Sequence, residues 1–317
     1  MTTYRCALLQ MRALPYCTDQ DFPGDYRILH AWEPPGLDAI LDTEAQAIEV
    51  LIPTGHKPTP TSLIDRLPNL KAICSFGVGF ETIPVAYAQS KGIVVSNTPD
   101  VLNDCVADHA WALLLACARR VSHAERFVRA GFWGQGQRFP EGLRVTGKRL
   151  GIVGLGRIGM AIAERGAGFR MDVHYHNRHE RPGVPWQHEP SLVELARWAD
   201  FLVVSTVGGD GTRGLINATV LDALGPQGML INIARGSVVD QDALVRALVD
   251  ARIGGAGLDV FADEPEVPQA LVALDNVVLT PHIASSTRET LHAMTQTLLG
   301  NVQAFARTGK VATPVVL

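Results

Sequence analysis

Residues 149–159 read RLGIVGLGRIG. An apolar run at 150–153 leads straight into Gly154-x-Gly156-x-x-Gly159, and a helical pattern follows with Ile158, Ile162 and Phe169 on one side. Strand, glycine turn and helix, in that order, are the context in which this spacing binds a dinucleotide. Gly154 can take the backbone angles of a tight turn, Gly156 leaves room for a pyrophosphate, and Gly159 lets the helix sit close on the strand. The N–H groups at the helix start face the anion.

Working outward, the residues before this stretch alternate between two patterns. Cys6–Gln10, 28–32, 47–52, 72–75 and 93–96 read as strands, with helices at 62–67 and 84–90. Residues 104–120 form one long helix, apolar in its middle, of the kind that is buried within the protein or against another subunit. After the glycine turn, 173–176, 201–205, 228–233, 256–260 and 277–280 read as strands, with helices at 191–199, 218–224, 240–251 and finally 288–306. The alternation predicts an α/β fold of two Rossmann-like domains with parallel sheets. Because the glycine turn lies mid-chain, a dinucleotide-binding domain (residues 97–284) is expected to be inserted within a flavodoxin-like substrate domain (residues 1–96 and 285–317).

The 317 residues suffice for about two domains. A net charge of −4 gives nucleic acid and acidic membrane surfaces no general attraction. Five cysteines without a CxxC pair fit reduced thiols in the cytoplasm better than a disulfide frame or a zinc site. The opening MTTYRCALLQMRALP lacks the long apolar core of a signal peptide, and the longest apolar run, 110–118, is too short to span a bilayer.

A site that prefers NAD usually carries a carboxylate at the end of the second strand of its domain, for the ribose hydroxyls. Here that strand ends HYHNRHERPG, with Asn177 and then Arg178 at that point. A guanidinium pairs with a 2′-phosphate that an acid would repel, so the cofactor expected is NADPH, with NADH the weaker alternative. The other reading of Arg178 and Arg181 is as solvated loop charges. His174, His176 and His179 suggest a metal cluster, but no Cys or carboxylate completes a tetrahedral set, and no metal is expected.

Three further segments carry polar groups where a parallel strand ends, the place at which open α/β sheets bind ligands. Arg235 lies in MLINIARGSVVD, Glu264 in GLDVFADEPEVP and His282 in VVLTPHIASST. Singly, each reads as a capping or turn residue. Together they match one task. Reducing a 2-keto acid requires a hydride, which a nicotinamide supplies, a proton for the oxygen, and a cation for the carboxylate. An imidazolium held by a carboxylate gives the proton, and an arginine binds the carboxylate and polarises the carbonyl.

From about Ala72 to Val315 the chain resembles the D-isomer-specific 2-hydroxyacid dehydrogenases, through SFGVGFE, GIVVSNTPDVLNDCVADHAWALLLA, GLGRIG, INIARGSVVDQDAL, GGAGLDVFADEPEVP and TPHIASST. The resemblance implies that Arg235, Glu264 and His282 are a catalytic triad, with His282 as acid/base and Glu264 its partner. It implies that Val78 and Gly79 offer backbone N–H groups to the substrate carboxylate, alongside Arg235 and His282. It implies that Asp259 contacts the nicotinamide amide and that the long helix after Asn97 helps build a homodimer. The implied cofactor contacts are Gly154, Gly156, Arg157, Ile158, Asn177, Arg178, Ser205, Thr206, Val207, Ile233, Ala234, Asp259 and His282. Within the family the chain looks most like the glyoxylate/hydroxypyruvate reductases, including the plant hydroxyphenylpyruvate type, so a small 2-keto or 2-hydroxy acid is the partner expected.

The chain departs from family habit at STVGGDGT, where Pro-Leu-Thr is common, at Asn103, where Thr is common, and at Glu81, where Asp is common. Phe76 and Phe80 either face the pocket, favouring a small keto acid or stacking on an aromatic one, or pack between the domains. Trp133 either covers the partner subunit's active site, as similar residues do in relatives, or is an ordinary interface aromatic. Two other readings stay open: a nucleotide-sensing corepressor on the same fold, and a dehydrogenase of phosphoglycerate, formate or phosphite. Formate enzymes replace the Glu at position 264 by Gln.

Overall fold

The computed structural model describes residues 6–55 and 57–316. The chain divides into two compact units, one running to Leu102 and resuming at Ser286, the other spanning Asn103 to Ser285.

Among the described residues, the first unit holds β1 (Cys6–Gln10), β2 (Tyr26–His30), α1 (Leu37–Thr43), β3 (Ile48–Ile52), α2 (Thr61–Asp65), β4 (Ala72–Cys74), α3 (Val85–Ser90) and β5 (Val94–Ser96). The strands pair in parallel in the order β2-β1-β3-β4-β5, which is the flavodoxin order. Parallel strands are covered on both faces, so they appear in sequence as unbroken apolar runs. Ala7, Leu9, Ile48, Leu51 and Ile73 form that buried layer.

The second unit begins with α4 (Asn103–Ala118) and α5 (Val121–Arg129). It continues through β6 (Arg149–Val153), α6 (Arg157–Gly166), β7 (Asp172–His176), β8 (Gln187–His188), α7 (Leu192–Trp198) and β9 (Phe201–Val204). Then come α8 (Ala218–Leu224), β10 (Met229–Asn232), α9 (Gln241–Val249), β11 (Gly255–Leu258), α10 (Gln269–Val272) and β12 (Val277–Leu279). The final helix, α11 (Arg288–Thr308), returns to the first unit. The sheet order is β12-β11-β10-β9-β6-β7-β8, all parallel. Counted from β6, this is the Rossmann order with one added strand, and its direction reverses between β6 and β9. The glycine turn therefore leaves the sheet at the switch point, the position from which this topology binds ligands. Side-chain caps set the helix starts on one face: Ser191 accepts from Glu194 N, Asn217 from Val220 N and Asp240 from Ala243 N.

The burial of α4 is supplied within the chain. Trp111 donates its indole N–H to Ile162 O at 3.1 Å and stacks on Phe169 at 4.6 Å. On the other side, a Cβ added to Gly257 of β11 would lie 3.0 Å from Leu113 Cβ, so helix and strand are in close contact there.

Some elements differ from the sequence reading. The strand expected at 28–32 lies two residues earlier, because Tyr26 pairs with Cys6 and is buried while Trp32 is exposed and stacks on His30. The helix after the glycine turn ends at Gly166, and Phe169 sits beyond it in a 3-10 turn. The helices at 37–43, 121–129 and 269–272 and the strand at 187–188 escaped the sequence reading. They are short, and α5 buries none of its residues.

Candidate active site

The glycine turn is sterically dictated. Gly154 has φ 97°, and a Cβ there would lie 2.6 Å from Thr206 Cα. A Cβ on Gly159 would lie 2.2 Å from Gly154 O, so the helix packs against the turn only as glycine. A Cβ on Gly156 meets nothing within 4 Å, and Gly156 is the N-cap of α6. An open face above the first turn of a helix is what a pyrophosphate needs, so these residues fit a dinucleotide. Arg157 and Ile158 open that helix, the first exposed and the second half-buried.

Residues after β7 and β9 brace the turn. Asn177 Oδ1 accepts Leu155 N at 2.7 Å, and Arg181 Nη1 donates to Leu155 O at 3.0 Å. Both polar atoms of Leu155 are thereby held, and Arg181 is a structural strut rather than a solvated charge. Ser205 Oγ donates to Gly154 O at 2.8 Å. Arg178 is exposed, and its Nη2 would lie 3.6 Å from a Cβ on Gly211. The STVGGDGT departure forms a closed turn, with Thr212 Oγ1 donating to Val207 O at 2.7 Å, and Val207 is exposed. Ile233 and Ala234 are buried. The two histidines of β7 are engaged beside the sheet edge, while His179 is exposed. His174 Nδ1 lies 3.1 Å from Glu189 Oε1, with its ring stacked on Trp198, and His176 Nδ1 lies 2.8 Å from Glu189 O.

The polar strand-end groups of the second unit converge. His282 Nδ1 lies 2.7 Å from Glu264 Oε2, and Glu264 Oε1 accepts Phe261 N at 2.9 Å. Burial opposes ionisation of Glu264. The bonds from His282 and Phe261 N, with the charges of His282 and Arg235, outweigh it and hold the carboxyl below the usual carboxylate range. Arg235 sits on a loop fixed by Asn232, which is buried at the end of β10. Asn232 Nδ2 donates to Arg235 O and Asn232 Oδ1 accepts Ala234 N, each at 3.1 Å. Arg235 Nη1 donates to Ala234 O at 2.6 Å. A Cβ on the next residue, Gly236, would overlap the Phe261 carbonyl at 1.9 Å, so glycine is required for this loop to rest on the segment leading to Glu264. Asp259 is wholly buried, and its carboxylate accepts Thr280 Oγ1, Ile283 N and Ala284 N.

In the first unit, the loop after β4 is fixed by the residues after β5. Gly77 N donates to Thr98 Oγ1 at 3.0 Å, Thr98 N donates to Gly77 O at 2.9 Å, and Asn97 Nδ2 donates to Val78 O at 2.8 Å. In a trans peptide, C=O and N–H point opposite ways. With the Gly77 and Val78 carbonyls turned toward Thr98 and Asn97, the N–H groups of Val78 and Gly79 are turned away from them. Phe76 is buried, with the Arg12 guanidinium 5.2 Å from its ring centre. Asn97, Thr98 and Asn232 escaped the sequence reading. The signal for Asn232 was an amide inside an apolar strand, a group that must find partners when buried.

Comparison with known proteins accords with this geometry. Residues 111–284 match the model of the D-isomer specific 2-hydroxyacid dehydrogenase, NAD binding domain. The chain is 40% identical over 309 residues to glyoxylate/hydroxypyruvate reductase A of Arabidopsis thaliana, covering 98% of each chain. It is 41% identical, again over 98% of each, to hydroxyphenylpyruvate reductase of Plectranthus scutellarioides. The crystal structure of an NADPH-dependent glyoxylate/hydroxypyruvate reductase from Sinorhizobium meliloti, in complex with NADP and malonate, superposes with a TM-score of 0.89 at 38% identity, covering 98% of this chain and 97% of that one. With the fingerprint turn at the switch point and identity sustained along nearly the whole chain, this protein belongs to the D-isomer specific 2-hydroxyacid dehydrogenases, a family of NAD(P)-dependent oxidoreductases.

Proposed function

We propose that this protein reduces small 2-keto acids, glyoxylate and hydroxypyruvate, to D-2-hydroxy acids with NADPH. The observation that carries the reading is the 2.7 Å contact of His282 Nδ1 with Glu264 Oε2, on a carboxylate that also feels the Arg235 charge. NADPH, when bound, supplies the hydride. Glu264 accepts a hydrogen bond from His282 Nδ1–H and stabilises the imidazolium, which leaves Nε2 to deliver its proton to the keto oxygen. Arg235 binds the keto-acid carboxylate and polarises the carbonyl. The N–H groups of Val78 and Gly79 are the further donors assigned to that carboxylate, and the bonds from Asn97 and Thr98 support that role. The second unit is the nucleotide domain in this reading, and the first is the keto-acid domain. Gly154, Gly156, Arg157, Ile158, Ser205, Thr206 and Val207 are assigned to the nucleotide, as are Ile233, Ala234 and Asn177. The amide of the nicotinamide is assigned to Asp259, whose carboxylate also holds the backbone after His282.

Arg178 is the guanidinium assigned to the 2′-phosphate, since Arg181 is committed to Leu155 O. The test is initial rates with glyoxylate, hydroxypyruvate, pyruvate and 4-hydroxyphenylpyruvate, each with NADPH and NADH. The two small acids are expected to turn over fastest, with NADPH favoured. Arg178→Ala is expected to lower the NADPH/NADH ratio of kcat/KM by ~10- to 100-fold, the worth of charge-assisted hydrogen bonds. A wild-type ratio near one overturns the assignment of Arg178. Tight nucleotide binding without turnover of any keto acid favours the corepressor reading instead.

We further infer a cytoplasmic homodimer. Val121, Val128, Phe132 and Trp133 are exposed apolar residues clustered in sequence on and just after α5, which supports a second copy covering that stretch. Sedimentation is expected to give twice the 34.2 kDa chain mass, and a monomer at micromolar concentration contradicts it.

A further inference from the structure

Cys105, His109, Leu113 and Cys117 recur at every fourth position of α4 and so share one ridge of the helix. At one end of that ridge Cys105 Sγ lies 3.2 Å from Ala284 O. Next along it, His109 Nε2 lies 2.9 Å from Thr280 Oγ1 and 3.3 Å from Asp259 Oδ1. Thr280 Oγ1 is in turn 2.6 Å from Asp259 Oδ1. A carboxylate only accepts, so the Thr280 hydroxyl proton lies on that contact. The hydroxyl oxygen is then an acceptor, and His109 Nε2 must carry a hydrogen. That hydrogen is present in one neutral tautomer and in the imidazolium alike.

The receiving carboxylate governs the chain around His282. His282 N donates to Asp259 O, Ile283 N to Asp259 Oδ1 and Ala284 N to Asp259 Oδ2, each at 2.9 Å. Three consecutive amides therefore end on one buried residue. His282 itself has φ 53°, a left-handed conformation that a residue with a Cβ holds only when its surroundings impose it. Burial opposes ionisation of Asp259. The hydrogen bonds from His109, Thr280, Ile283 and Ala284 outweigh it and keep the carboxyl below its ordinary value.

We propose that His109 is a positioning residue for the proton transfer. Acting through Thr280 and Asp259, it holds the 282–284 backbone in the turn that presents the His282 ring to Glu264. The proposal rests on His282 being the acid/base group. His109 touches no reacting atom in this role, and its effect is on the rate of the chemical step rather than on binding. A displacement of about 1 Å in a reacting group is enough to cost on the order of 100-fold in rate.

The test compares His109→Leu, which removes the donor, with His109→Gln, which keeps an N–H at the end of the side chain, and with Thr280→Val. His109→Leu and Thr280→Val are expected to lower kcat for hydroxypyruvate by ~10- to 100-fold. The keto-acid KM and the NADPH Kd are expected to change much less than kcat, since neither His109 nor Thr280 is itself assigned to a ligand. His109→Gln is expected to recover most of the lost kcat. In nucleotide-free protein, amide exchange at Ile283 and Ala284 should quicken by ~10-fold in His109→Leu, reporting the loosened turn without reference to activity. Wild-type kcat and unchanged exchange in His109→Leu would overturn the proposal. So would parallel losses in kcat, KM and Kd that His109→Gln fails to reverse. His282→Ala assayed alongside separates the two levels. If it retains the wild-type rate, the acid/base reading fails; if it is inactive while His109→Leu is normal, only the role of His109 fails.

Discussion

Replacing His282 by Ala is expected to lower kcat for hydroxypyruvate and glyoxylate by ~10²- to 10⁴-fold, the usual worth of a positioned acid. Hydride addition leaves negative charge on the keto oxygen, and without the imidazolium that charge must be met by water. The fold should survive, because the His282 ring is part-exposed and its bond to Glu264 lies outside the hydrophobic clusters. Its main-chain bond to Asp259 O does not depend on the side chain. NADPH Kd is expected to change little. Initial rates, with a thermal melt as the control for folding, check this. A variant that retains a tenth or more of the wild-type rate contradicts the assignment.

Arg235→Lys keeps a positive charge and discards the fork of donors. Its expected cost is ~10²- to 10³-fold in kcat/KM for the keto acid, comparable to the loss of one donor to a developing oxyanion. The loop around Arg235 is held by Asn232 and by the approach of Gly236 to Phe261, so the lysine inherits an intact backbone and the loss is chemical. The ammonium can neutralise the substrate carboxylate but cannot also reach the carbonyl in a fixed plane. Both kcat and KM are therefore expected to suffer, with NADPH binding unaffected. Steady-state kinetics within about 3-fold of wild type would show that a point charge suffices and that the guanidinium geometry has no part in the reaction.

Much of this was legible in sequence because parallel sheets write themselves as apolar runs. Strands such as LLQ after Ala7 and FLVV at 201–204 are buried on both faces, so no alternation blurs them. The glycine turn was legible for a steric reason, since Gly154 and Gly159 stand where any Cβ would strike the backbone or Thr206. Arg235, Glu264 and His282 stood out as polar groups at the ends of such runs. The supports of these residues were not legible. Asn232, Asn97 and Thr98 act through hydrogen bonds to backbone atoms whose positions are known only once the loops are folded. His109 reaches its partner across 171 residues of chain, and nothing in an apolar helix marks one histidine as facing a carboxylate. The short helices at 37–43 and 121–129 were missed because they run for only seven and nine residues, too short a window to establish a helical period. The bracing role of Arg181 was not legible either, because its acceptor is a main-chain carbonyl in the glycine turn.

The claim that His282 and Glu264 work as one acid/base unit is tested most directly by a double-mutant cycle. The rates of His282→Ala, Glu264→Gln and the double variant are measured with hydroxypyruvate and NADPH at one pH. Groups that act only together lose their effect together, so the double variant is expected to be no slower than His282→Ala alone. A double variant slowed by the product of the two single losses would show the two side chains acting independently, and would contradict the unit.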